Sequence, residues 1–306
     1  MRLEPTWHNA RSYMWLSLGA ALLTMALKFG AFALTGSVGL FSDAAESVVN
    51  LVAAAGAIWA LTVAARPADD VHAYGHTKAE YFASGLEGAL IVVAAASIAY
   101  VAVERLLHPQ PVEQLGLGLL VAAAAAVING LVSLTLARAG KRLRSIALHA
   151  DARHLLTDVW TTGGVLLGVA LFGLTRWAPL DAIVALLVAV NIIRVGLNLL
   201  RESGLGLLDT ALPPEDLRPI EEVLAGYRTR GIDFHALRTR RSGTRRFVSL
   251  HVLVPGTWSV QRAHDLSEEL ELALHAALPE TTVFTHLEPR EDPAAFADQS
   301  LDRAAD

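Results

Sequence analysis

The chain has no cysteine. Disulfides and thiolate metal sites are therefore excluded, and any metal must be held by His, Asp, Glu, Asn or water. Charge is also scarce: Asp, Glu, Lys and Arg make up 18% of the 306 residues, against 53% hydrophobic. That is too apolar for an ordinary soluble protein of this length, so membrane spans are expected. The net charge of −5 says little about partners, and nothing suggests a nucleic-acid surface. No cleavable leader is expected, because the apolar run starting near Met14 is long and no small-residue cleavage site follows a short core. There is no His-Glu-x-x-His stretch, which removes one common metalloenzyme pattern.

What the chain has instead is apolar sequence concentrated before about residue 208, followed by a charged, mixed remainder. A membrane domain over 1–207, a soluble domain over 208–290 and a disordered acidic tail over 291–306 are expected. About 20 apolar residues cross a bilayer as a helix. Six candidate spans follow, at roughly 13–34, 38–64, 82–106, 114–137, 153–176 and 179–200. Arg2, Arg11, Arg66, Lys78, the cluster Arg138, Lys141, Arg142, Arg144 and Arg153, and Arg201 fall on one side of this arrangement. Only Arg105 and Arg176 fall on the other. Both termini and the soluble domain are therefore expected in the cytoplasm. The Arg138–Arg144 cluster also suits contact with anionic membrane lipid.

The organising stretch is Ala150-Asp-Ala-Arg-His-Leu-Leu-Thr-Asp-Val-Trp-Thr-Thr162, at the entry to the fifth span. His154 and Asp158 are four apart and so share one helical face. Such groups are expensive inside a membrane and usually mark an ion pathway. An imidazole nitrogen with a carboxylate oxygen also suits a divalent transition metal. On the second span Asp43, Glu46 and Asn50 fall at i, i+3 and i+7, again one face. That stripe is either an interhelical hydrogen-bond seam or, through Glu46 and Asn50 with His154 and Asp158, a four-donor metal site.

The Gly36-Ser-x-x-Leu lead into Asp43, Glu46 and Asn50, together with His154-x-x-x-Asp158, resembles the cation diffusion facilitators, a family of proton-coupled divalent-metal exporters. The resemblance extends over residues 12–290 and is strongest to the bacterial iron/zinc type. It implies a transport site of Glu46, Asn50, His154 and Asp158, with Asp43 as a supporting carboxylate. Zinc members usually carry His or Asp and then Asp where this chain has Glu46 and Asn50. Asparagine binds metal only through a neutral carbonyl, so the site has one less negative charge. That leaves Fe2+, Mn2+, Co2+ and Ni2+ open beside Zn2+. The loop Arg66-Pro-Ala-Asp-Asp-Val-His-Ala-Tyr-Gly-His-Thr-Lys-Ala-Glu80 resembles the family most closely. It implies a second metal group of Asp69, His72 and His76, which converges if the segment turns helically. Lys78 resembles the family lysine that pairs with an aspartate after the sixth span, here Asp209.

Other polar residues in the spans are open to plainer readings. Glu87 could line a water-filled entrance or sit in an interhelical hydrogen bond. The alanine run 122–126 and Asn129 read as close helix packing or dimer surface. Asp181 lies near the far interface, and Lys28 has Asp43 or Glu46 within plausible reach.

From about 208 to 290 the pattern is helix, strand, strand, helix, strand. Pro213-Pro-Glu-Asp216 opens the first helix with acids in its first turn. Val248, Leu250, Val252 and Val254 alternate with Ser249, His251 and Leu253, which gives a strand with one apolar face. Ser259 or Thr257 caps the second helix. The family's cytoplasmic domain has this αββαβ, ferredoxin-like order, and the resemblance implies a regulatory metal site at His235, His251, His264, His286 and Glu288. His275 has no counterpart there and reads as surface.

The sequence therefore reads as a membrane α-helical protein with a small cytoplasmic α/β domain. As the resemblance implies, it is a homodimeric exporter of divalent metal (Zn2+ or Fe2+) in the cytoplasmic membrane, with protons as counter-ion. It is not an enzyme on this reading. An intramembrane metalloenzyme using an activated water, or a metal sensor with an inert membrane part, are the alternatives. The first needs an open coordination position and a general base. The second would leave the cost of intramembrane carboxylates unexplained.

Overall fold

The computed structural model describes residues 6–35, 38–108, 116–175, 179–297 and 299–300. It divides into two compact units, 1–205 and 206–306.

The first unit is built on six long helices: α1 (Thr6–Thr35), α2 (Val38–Ala64), α3 (Ala79–Leu107), α4 (Gly116–Leu143), α5 (Ile146–Thr175) and α6 (Pro179–Leu207). Each has 27 to 30 residues. At about 1.5 Å per residue that exceeds the roughly 30 Å hydrocarbon layer. Among the described residues four stretches are long and apolar enough to cross a membrane: Ala10–Ala33, Ala79–Glu104, Leu120–Leu143 and Ala182–Leu207. The two long helices outside this set, α2 and α5, carry the polar stripes.

Small residues are frequent in the interior of this unit, as at Ala57, Ala60, Ala95, Ala147, Ala150 and Ala189, beside large ones such as Met14, Leu61 and Leu148, while Trp15, Trp59, Phe82, Tyr100, Leu131 and Leu187 lie exposed. Small residues let helices approach closely where solvent gives no hydrophobic drive. At Gly88 and Gly196 the backbones of α3 and α6 meet, and a Cβ on either would lie 3.0–3.1 Å from the other's carbonyl oxygen. One apolar cluster joins α1, α2, α4 and α5. Another joins α3, α5 and α6. Helix α5 contributes to both.

Helices α4 and α5 run past the edges expected from hydropathy, near 137 and 153, because Arg138, Lys141 and Arg142 are good helix formers even where they end the apolar stretch. Only Arg144 and Ser145 connect them, with Arg144 in the left-handed region at φ 54°. The start of α5 is fixed from another helix. Buried Glu80, in the first turn of α3, accepts the Ser145 hydroxyl at 2.7 Å and the Ala147 amide at 3.4 Å.

The second unit holds α7 (Pro214–Arg228), β1 (Asp233–Ser242), β2 (Arg245–Val254), α8 (Val260–Ala277) and β3 (Thr281–Pro289). The sheet order is β1-β2-β3. β1 and β2 form an antiparallel hairpin that turns at Gly243 (φ 57°), and β3 returns parallel to β2 after α8. Val248, Leu250, Val252 and Val254 face Ile220 and Leu224 of α7 and Leu266, Leu270 and Leu274 of α8 in one core. Burial of each such side chain is worth about 1.5–3 kcal/mol. Ser259 caps α8 by accepting the Arg262 amide at 3.2 Å.

The stretch expected as a disordered tail begins with structure. Pro293–Phe296 form a 3-10 turn capped by Asp292, and the Glu291 carboxylate accepts the Gly256 amide at 2.9 Å. The Phe296 ring meets His235 edge-on, 5.5 Å between centroids, so an aromatic anchor offsets the acidic composition. Residues 301–306 lie outside the described residues.

One buried ion pair locks this unit. Arg246 donates through its Nε (2.9 Å) and a terminal nitrogen (3.2 Å) to the two oxygens of Asp216, and its other terminal nitrogen donates to the Pro279 carbonyl at 2.8 Å. Removing one partner of such a pair leaves an uncompensated buried charge, at about 3–5 kcal/mol. Asp216→Ala should therefore speed hydrogen exchange of the β2 amides in the full-length chain by at least about 100-fold, whereas the apolar pair Asp216→Leu with Arg246→Met should come close to wild type.

Candidate functional site

On α5, His154 is buried and Asp158 half-buried, one turn apart as their spacing requires. Asp158 is oriented from α4: the Asn129 amide nitrogen donates to its Oδ2 at 3.0 Å. Asn129, read from sequence as packing, is thus a positioning residue for a carboxylate, which only the partner helix reveals. A further carboxyl, Asp151, shares the His154 face at i−3 and is 2% exposed. Sequence reasoning passed over it because it precedes the apolar window. Glu46 and Asn50 lie on α2, whose contacts include α5. Their side chains, and those of Asp43 and Asp181, fall outside the described residues. Lys28 is buried in α1.

A second group forms between α2 and α3, where the segment is not helical as the sequence reading required. It is folded by turns. Asp69 Oδ1 accepts the amides of Val71 (3.1 Å) and His72 (2.6 Å), and Gly75 (φ 85°) donates to the His72 carbonyl at 2.8 Å. The turn brings His72 Nδ1 to 3.2 Å from Asp69 Oδ1 and His76 Nε2 to 3.4 Å from Asp69 Oδ2. The ligand atoms of Asp69, His72 and His76 all lie within 4.8 Å of one another, a geometry that could hold a metal ion. The His72 amide, aided by the other hydrogen bonds, holds the Asp69 carboxyl below the usual carboxylate range.

A third group lies on the sheet of the second unit. Strand register aligns His235, His251 and His286 in one row across β1, β2 and β3. Glu288, two residues along β3, shares the face of His286. Its Oε2 lies 2.8 Å from His235 Nε2 and 3.3 Å from His251 Nδ1, and its Oε1 lies 3.6 Å from His286 Nε2. His235, His251 and Glu288 form the second group with metal-holding geometry among the described residues. Next to His235 the strand bulges, and Ala236 sits at φ 50°. That re-aims the chain beside the site, a role typical of bulges. His286 is exposed at the edge of the group, and His264 is exposed on α8 outside it. Asp209 accepts from Arg240 at 3.1 Å within its own unit.

Buried histidine and carboxylate in an apolar bundle, with two further imidazole–carboxylate groups outside it, define a membrane protein that handles divalent cations. The known proteins it resembles agree. The cation efflux transmembrane domain matches residues 14–208, and the cytoplasmic domain of cation efflux proteins matches residues 212–290. The chain belongs to the cation diffusion facilitator family and is a metal efflux transporter rather than an enzyme. It is 55% identical to an uncharacterized transporter, sll1263, of Synechocystis sp., over 94% of this chain and 93% of that one. It is 32% identical to the cation-efflux pump FieF of Cronobacter sakazakii, over 88% and 89%. Among solved structures it matches the metal-bound C-terminal domain of the CzcD transporter from Thermotoga maritima at 27% identity, covering 26% of this chain and 92% of that one, with a TM-score of 0.24.

Because Asp69 ionises below the usual range, its carboxylate is charged for metal binding near neutral pH. Metal and protons compete for the ligand atoms, so binding should weaken by at least about 10-fold as pH falls from about 7.5 to 5.5. Asp69→Asn, which keeps the turn's acceptor, should weaken binding at both pH values without changing that slope. Zn2+ calorimetry on full-length protein bearing His235→Ala and His251→Ala checks this.

Proposed function

We propose that the chain is a homodimeric antiporter that exports a divalent transition metal, Zn2+ or Fe2+, from the cytoplasm in exchange for protons. The observation that carries this reading is the buried His154 with Asp158 on one face of α5, the latter held by Asn129, inside a bundle whose outer surface is apolar. An inert bundle would have no need to bear such groups in hydrocarbon. All six long helices cross the cytoplasmic membrane, and α2 and α5 tolerate their polar stripes because these face inward. Both termini and the second unit are cytoplasmic, as the Arg and Lys distribution favours. The membrane unit ends near 207, where the cytoplasmic unit begins.

Glu46 and Asn50 of α2 complete the transport site with His154 and Asp158, one nitrogen and three oxygens around the ion. Binding needs neutral imidazole and ionised carboxylates, so metal and proton compete for the same atoms. Histidine titrates near physiological pH, which suits His154 to carry the returning proton. The name of the FieF relatives supports cation efflux; the Glu46/Asn50 pair keeps Mn2+, Co2+ and Ni2+ within the substrate range. The loop group Asp69, His72 and His76 is a peripheral metal site. His235, His251, Glu288 and His286, with His264 nearby in sequence order, are a regulatory one that stabilises the dimer when cytoplasmic metal is high.

Proteoliposomes loaded with a pH-sensitive dye test this. Wild type should show metal-dependent proton flux with one or more of Zn2+, Fe2+, Mn2+, Co2+ and Ni2+. Asp158→Ala should lose it, and Asn129→Ala should reduce it by about 10-fold, the scale on which loss of an outer-sphere ligand partner acts. No flux from correctly oriented wild type with any of the five would remove the antiport reading.

A further inference from the structure

Two glutamates lie on the same face of α3, seven residues apart, and each is 1% exposed. Their surroundings differ. Glu80 is satisfied, accepting Ser145 and Ala147 at the start of α5. Glu87 has neither carboxylate oxygen in a hydrogen bond among the described residues. This removes the interhelical hydrogen bond as an account of Glu87. The charge that Glu87 feels is that of Asp151 on α5, another carboxyl. Asp151 is 2% exposed, and its Oδ2 is also without a hydrogen bond. Ser17 of α1, 1% exposed, brings its hydroxyl to Asp151. Oxygens on three helices are thus gathered here, and both of Glu87 and one of Asp151 have no hydrogen-bond partner among the described residues. Buried carboxyls left this way cost several kcal/mol each, and the scarcity of such groups in native proteins marks these as needing an explanation.

A proton shared between the two carboxyls would draw their oxygens into a hydrogen bond, and Glu87 makes none among the described residues. A cation larger than a proton accounts for all three helices at once. Asp151 precedes His154 by three residues and Asp158 by seven, so along α5 it stands about 4.5 Å from the first and about 10.5 Å from the second. We propose that Glu87 and Asp151, with the Ser17 hydroxyl, form an all-oxygen holding site for the divalent cation, one helical turn before the transport site. Carboxylate and hydroxyl oxygens bind a divalent ion less selectively and less tightly than a set containing imidazole. The site collects the ion and yields it to His154 and Asp158. Its position on the cytoplasmic approach rests on the transport reading above; its binding of a cation does not.

The test uses full-length protein in two arms. In proteoliposomes, Glu87→Gln or Asp151→Asn should raise the Zn2+ and Mn2+ concentrations for half-maximal transport by about 10-fold while the maximal rate stays within about twofold. The double variant should be no worse than the worse single one, since the two groups act on one ion. Glu87→Asp should recover most of the affinity. In detergent, equilibrium dialysis with Mn2+ should find one ion fewer per protomer in Glu87→Gln than in wild type, and Glu87→Asp should restore it. Unchanged half-saturation with an unchanged ion count overturns the proposal. So does an unchanged metal dependence with an altered dependence on the proton gradient, which would assign the pair to protons. If wild type transports nothing, the antiport reading falls, and the dialysis arm still decides this one. If Glu87→Gln does not yield folded protein, Asp151→Asn is read in both arms.

Discussion

An ionisable group that faces hydrocarbon is so costly that α5, which carries Asp151, His154 and Asp158 on one face, can exist only with that face enclosed. Much of the membrane unit follows from this. Helix α5 is packed on two sides, by α1, α2 and α4 in one cluster and by α3 and α6 in the other. The close approach needs small side chains, and these are frequent in the interior. Enclosure alone does not fix where along its length α5 sits. That is the work of Glu80, which binds the first turn of α5 from α3, and of the two-residue link from α4. A shift of one residue would rotate the stripe by about 100° and turn it toward the wrong neighbour.

The groups outside the bundle use the same ligand chemistry on different local frames. At the loop, one carboxylate both folds the backbone and presents itself to the imidazoles: Asp69 Oδ1 takes two amides, and Oδ2 is left toward His76. Folding and binding are coupled through a single side chain. On the sheet, the row of three histidines is set by strand register, which a hydrophobic core holds in place independently of any ligand. The loop group is half exposed at Asp69 and His72, whereas Glu288 of the sheet group is buried. A site whose frame depends on its own ligands exchanges readily with solvent; one on a prefolded sheet holds its geometry when empty.

Much of this was legible in the sequence, and what was not has a common cause. The His154/Asp158 pair, the αββαβ order and the alternating face of β2 all rest on local periodicity, which the chain fixes within one element. Asn129 and Asp151 were missed because their roles are defined by a second helix. Asn129 sits in an alanine-rich run that resembles packing surface until its amide is seen at Asp158. Asp151 lies just ahead of the apolar window, which ended where hydropathy did rather than where the helix did. The loop's fold went wrong for a related reason: spacings of three and four suggested helical turning, but the Asp69 side chain captures the amides that a helix would need. The start of the tail was read from its acidity, and the contact of Phe296 with His235 outweighs that.

The contrast between Glu80 and Glu87 bears on how such a bundle can be both specific and permeable. A carboxylate whose hydrogen bonds are complete, like Glu80, is a fastener, for any cation binding it must first break the bonds that set α5. A carboxylate with none, like Glu87, gains from any cation that arrives. Placing the first at the end of the helix and the second two turns inside separates holding the bundle together from handling the ion. It also orders the donors along α5: oxygens only at Asp151, then an imidazole at His154, then a carboxylate braced by an amide at Asp158. Affinity for a borderline-soft divalent metal rises when nitrogen joins the set, so on the proposed path an ion would meet its stronger ligands after its weaker ones. On that proposed path, selection would fall to the step that contains His154 rather than to the first one.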